Sequence, residues 1–154
     1  MDIETLTADA AVLSLSSAEL PREDCSRFLC ELVRKAQKAR GLSVWENMEA
    51  SLFVSGARAL LLAWPTETVL FAFDDFEALL RASLACGEGL LSALTYLDGT
   101  WYLHLRCARG RVPAALGEFG ERRPGSDRLL AHLCEQGSLI IAENAVDVLR
   151  KHFA

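Results

Sequence analysis

The stretch "LSALTYLDGTWYLHLRC", residues 91–107, restricts the fold more than any other part of the chain. Asp98-Gly99 is the dipeptide that a two-residue type I′ turn wants, because both central residues need positive φ. That turn fixes the strand register on either side. Leu97 then faces Thr100, and Tyr96 pairs with Trp101 on the opposite face. Leu94 with Leu103 extends this second face, joined by Leu105, and these residues are assigned to the core. Tyr102 and His104 lie on the other side.

The segments around the hairpin complete one module. "TVLFAF" (residues 68–73) is continuous and β-prone. In the following "DDFE", Asp74 is expected to accept from the backbone N–H of Glu77, whose side chain reaches back as in a capping box. Phe76, Leu79, Leu80 and Leu84 make the buried stripe of the helix that starts there. A further helix is expected over residues 113–121 and is broken by Pro124-Gly125. Residues 128–134 alternate like another strand. The order is β-α-β-β-α-β, a ferredoxin-like split βαβ unit. It is extended by "GSLIIAENAVDVLRKHFA", which reads as a turn, a short apolar strand and a helix. In that helix Ala145, Val146, Leu149 and Phe153 form one stripe, while Glu143, Asp147 and Arg150 face water.

The first half reads β-β-α-β-β. "MDIETL" and "AAVLSLS" are strand-like, and a helix is expected over residues 21–40. Proline suits its first turn, Gly41 its end, and Lys35, Lys38 and Arg40 its negative pole. Phe28, Leu29, Leu32, Val33 and Ala36 give it one apolar face. "MEASLFVSG" and "ARALLLAW" follow as strands joined at Ser55-Gly56. Pro65, Thr66 and Glu67 form the only evident seam, too short for a flexible tether, so the two halves are expected to touch. The predicted class is α+β: two small α/β-sandwich modules with antiparallel sheets, over residues 1–64 and 68–154.

Totals narrow the function. The 154 residues are 51% hydrophobic and 24% charged, a globular composition. The net charge of -5 opposes sequence-independent nucleic-acid binding and attachment to an anionic membrane. The longest apolar run, residues 59–65, is too short to span a bilayer. The acidic start "MDIETLTADA" lacks the pattern of a secretory signal, so a cytoplasmic protein is expected. Cys25, Cys30, Cys86, Cys107 and Cys134 form no CxxC pair and read as free thiols; with His132 beside Cys134 as the nearest approach, no metal cluster is expected.

No phosphate-binding loop, GxGxxG after a strand, HExxH or GxSxG appears. Asp74 and Asp75 stand at a helix start and read as caps. His104 is expected to be a satisfied, partly buried side chain, and His132 and His152 carry no special reading. Glu118 in "LGEFG" and Glu135 in "CEQG" each close an element near a glycine and, taken alone, are solvated surface charges. No catalytic, cofactor-binding or metal residue is assigned, and the protein is expected not to be an enzyme.

Together "FDDFEALL", "LTYLDGTWYLHL", "LGEFG", "CEQGSLII" and "AENAVDVLRKHFA" resemble the C-terminal domain of the MecA adaptor family, in the family's order and with compatible gaps. "MDIE", "AAVLSLSSAEL" and "MEASLFVSGARALLLAW" resemble strand regions of its N-terminal domain. The resemblance implies a bacterial adaptor and negative regulator of competence. Its first module would recruit substrate proteins. Its second would dock on a ClpC-type AAA+ unfoldase and promote the assembly that feeds ClpP. By motif position, Glu118 and Glu135 would be the unfoldase contacts, paired with arginine or lysine. The family's long acidic tether is reduced here to Pro65-Thr66-Glu67, a short form that would hold substrate in a fixed pose. A homo-oligomer is compatible with this reading. An alternative class is a ferredoxin-like module that senses a small molecule, and a third, resting on His104 alone, is a small enzyme.

Overall fold

The computed structural model describes residues 1–153. The chain is α+β and divides into two compact units between Thr66 and Glu67.

In the first unit, β1 (Asp2–Leu6), β2 (Ala11–Ser16), β3 (Met48–Ser55) and the start of β4 (Arg58–Phe73) form an antiparallel sheet in the order β1-β2-β4-β3. Helix α1 (Ser26–Ala39) supplies Leu29, Val33 and Ala36 to a core with Leu13, Leu15, Trp45, Ala59 and Leu61. The helix starts at Ser26, not in the region of Pro21. The carboxylate of Asp24 accepts from the Ser26 N–H at 3.0 Å, a local turn that competes with earlier helix. Gly41, at φ 68°, ends it: Leu42 N–H bonds the Gln37 carbonyl and Gly41 N–H that of Lys38, the two bonds of a Schellman motif.

The turn between β3 and β4 is Gly56-Ala57, since Ser55 pairs with Arg58. Pro65, Thr66 and Glu67, the expected seam, lie within β4, and the division between the units falls among them. The Thr66 N–H donates to the Asn47 carbonyl at 3.1 Å. Strict alternation then places Pro65 and its partner Met48 at a non-hydrogen-bonded step, so the missing proline N–H removes no bond from this ladder.

In the second unit the rest of β4 is followed by α2 (Phe76–Ala85), β5 (Leu91–Leu97), β6 (Thr100–Ala108), α3 (Ala114–Phe119), β7 (Glu121–Arg123), α4 (Asp127–Gln136), β8 (Ser138–Ile141) and α5 (Ala145–Phe153). The sheet order is β7-β4-β6-β5-β8. From β4 to β7 the element order is βαββαβ, and the strand order is that of a ferredoxin-like split βαβ unit. Its last strand, however, is Glu121–Arg123. Residues 128–134, expected as a strand, are helical in α4. Ser126 caps that helix by accepting from the Leu129 N–H at 3.2 Å, and Leu129, Leu130 and Leu133 share a face at three- and four-residue spacing.

The hairpin is as its turn dictates. Asp98 and Gly99 have φ 48° and 81°, and Leu97↔Thr100, Tyr96↔Trp101 and Leu94↔Leu103 are paired. Leu94, Leu103 and Leu105 join Phe71, Phe73, Leu79, Leu116, Val146 and Leu149 in the core. The cap of α2 is Asp75, not Asp74, accepting from the Ala78 N–H at 2.7 Å, and Glu77 pairs with Arg81 instead of reaching back. Leu84 is exposed, and Ala82 and Ser83 take the buried positions. The polar face of α5 also differs from expectation. Arg150 donates to the carbonyls of Ser83, Leu84 and Cys86, which close α2, and Asp147 accepts from the Gly89 N–H. Phe153 is exposed, with its ring edge-on to Phe76 at 5.6 Å.

Candidate docking surface

Glu118 and Glu135 occupy matched positions. "LGEFG" and "LCEQG" share the pattern L-x-E-x-G, and each lies at the C-terminal end of a helix. Leu116 is buried in the unit's core and anchors α3, and Leu133 is the buried residue of α4. A residue two positions further along a helix points about 200° away from such an anchor, so both glutamates emerge on the exposed side. Each helix stops the same way: the Gly120 N–H bonds the Leu116 carbonyl and the Gly137 N–H the Leu133 carbonyl, both at 2.9 Å.

Neither glycine has positive φ; close approach is what requires them. A Cβ on Gly120 would lie 2.6 Å from the Phe73 ring. One on Gly137 would lie 2.5 Å from the Leu133 carbonyl oxygen and 2.6 Å from Thr95 Cγ2. The end of α3 is pressed against Phe73 on the core face of the sheet and the end of α4 against Thr95 on the face opposite Leu94, so the two contacts hold Glu118 and Glu135, each two residues earlier, on different faces. Among the described residues neither glutamate has an ion-pair partner, whereas Glu77 and Glu121 are taken up by Arg81 and Arg123. Phe119, 38% exposed, stands beside Glu118, and Glu135 lines an open concavity with Ser126, Arg128, Leu129 and His132. The recurrence of L-x-E-x-G was readable in the sequence; the packing that demands each glycine was not.

The remaining candidates behave differently. His104 is half-buried but not satisfied: its Nε2 is buried without a partner, and burial holds its pKa below the ordinary 6.5. It lines a cleft of about 460 Å³ with Ser92, Arg106, Glu143 and Asn144. The hydroxyl of Ser92 accepts from the Val146 N–H at the start of α5. His132 and His152 are exposed. The thiols are free; Cys86 is buried and Cys134 exposed. Burial raises the Cys86 thiol, against the pull of Arg150, and burial followed by the Glu67 charge raises that of Cys107. Among the described residues no three His, Cys, Asp or Glu side chains are grouped to hold a metal, and no helix is long and apolar enough to cross a membrane.

No protein-family model matches the chain, and no curated protein matches it. Among solved structures it is similar to the C-terminal domain of YpbH, at 24% identity and a TM-score of 0.49, over 56% of this chain and 99% of that one. It is also similar to the C-terminal domain of MecA, at 24% identity and a TM-score of 0.46, over 57% of this chain and 99% of that one.

Proposed function

We propose that the chain is a non-enzymatic adaptor whose second unit docks on a ClpC-type AAA+ unfoldase and promotes its assembly, so that proteins held by the first unit are degraded by ClpCP. The setting is the bacterial cytoplasm, with competence regulators as the client class. The observation that carries this reading is the pair of matched helix ends. Two carboxylates stand at exposed helix ends with no ion-pair partner among the described residues, the arrangement that suits arginine or lysine from a partner. The sequence blocks that resemble the MecA family include both of them.

The test is the ATPase of a ClpC-type unfoldase titrated with the full chain. Saturable binding with stimulation is expected. An unfoldase that neither binds nor responds at high adaptor concentration overturns the reading.

One observation favours a sensor instead: the cleft beside His104, where Ser92, Arg106, Glu143 and Asn144 converge. Saturable thermal stabilisation by a small metabolite, removed by filling the cleft, would establish it.

A further inference from the structure

The pairing of β5 with β6 sets one face of the second unit's sheet apart from its core. Leu94, Leu103 and Leu105 point into the core, so the pairs Ala93↔His104 and Leu91↔Arg106 lie on the opposite face. On β4 the same alternation sends Val69, Phe71 and Phe73 inward and places Thr68 with the second group. The end of α4 closes on Thr95, toward one end of β5. At the other end, around Leu91 and Ala93, lies the cleft of about 460 Å³.

One wall of the cleft is residues 142–144, between β8 and α5. Asn144, at φ 52°, turns the chain there. The first turn of α5 is tied to β5 by the bond from the Val146 N–H to the Ser92 hydroxyl, 3.0 Å long, so this wall is held in place. Two charged side chains line the cleft, Arg106 from β6 and Glu143 from the wall, both exposed. Burial keeps the His104 imidazole below the ordinary 6.5, so it is uncharged at neutral pH. Leu91, Ala93 and Ala142 supply apolar surface, and the volume falls in the range of about 300–1,000 Å³ usual for small-molecule sites.

We propose that this cleft binds a free α-amino acid with an apolar side chain, its carboxylate paired with Arg106 and its ammonium with Glu143. Charge selects this class. A phosphate or dicarboxylate would be repelled by Glu143, and a polyamine by Arg106. A neutral metabolite would desolvate both side chains and pair with neither. A zwitterion answers both at once. The guanidinium fork matches a planar carboxylate, and the ammonium brings N–H donors to Glu143, which a quaternary amine lacks. The apolar side chain of the ligand then covers Leu91, which is 48% exposed.

An amino-acid site here rests on the sensor reading of the cleft and not on the adaptor reading, so the test uses the full chain without any unfoldase. Each of the twenty amino acids is titrated in turn and followed by amide chemical shifts and by melting temperature. Saturable binding of apolar members is expected, with shifts confined to residues 91–93, 104–106 and 142–144. For a binder, the carboxylic acid lacking its amino group and the amine lacking its carboxylate should each bind about tenfold more weakly or worse. Glu143→Gln and Arg106→Gln, both at exposed positions, should weaken affinity by a similar factor, and Ala142→Trp, which fills the cleft, should remove binding. An analogue that binds as tightly as its parent overturns the amino-acid class while leaving a metabolite site. Shifts that map elsewhere, affinity unchanged in folded Glu143→Gln, or no response to any amino acid up to its solubility limit overturn the proposal outright.

Discussion

The imidazole of His104 is the residue where burial and protonation conflict most directly. Its Nε2 is buried without a partner, and burial lowers its pKa. Because the folded value lies below the unfolded one, the unfolded chain takes up the proton first as pH falls. This contribution to stability is therefore intact above the ordinary value of 6.5 and is lost as pH drops through and below it. Replacing the ring with His104→Phe should flatten the fall in melting temperature between about pH 8 and 5, measured by thermal denaturation. An unchanged pH profile would show that the ring is hydrated and titrates normally. Glu118 and Glu135 teach a different lesson at the same scale. Their residue type and helix-end positions were visible in "LGEFG" and "CEQG". Their rigidity was not, because it depends on Phe73 and Thr95, remote in the chain, closing on Gly120 and Gly137.

Among the elements, the hairpin was fully legible because two adjacent residues with positive φ leave one register available. Helix α4 was not. "RLLAHLC" satisfies a two-residue and a 3.6-residue period equally, and the deciding feature is the Ser126 cap one turn earlier. Adjacent aspartates produced a smaller error of the same kind, since either position in "DDFE" can cap a helix and only the backbone geometry selects Asp75. That selection has a measurable consequence. Asp75→Ala should cost about 1 kcal/mol in chemical denaturation, while Asp74→Ala should change stability by no more than a few tenths. Equal losses would mean that the two carboxylates share the capping role.

At the level of the whole molecule, the two-unit organisation leaves no separate tether, because β4 passes directly from one unit into the other. On the proposed adaptor reading, what matters is how firmly Glu118 and Glu135 are held at the two L-x-E-x-G helix ends. The decisive measurement is the affinity of a ClpC-type unfoldase for the parent chain and for Glu118→Lys with Glu135→Lys, read by titration calorimetry. Both positions are exposed, so the double variant should keep its melting temperature within a few degrees while binding falls by about a hundredfold, with most of the loss in the charge-dependent part. Undiminished affinity in a folded double variant would contradict the account.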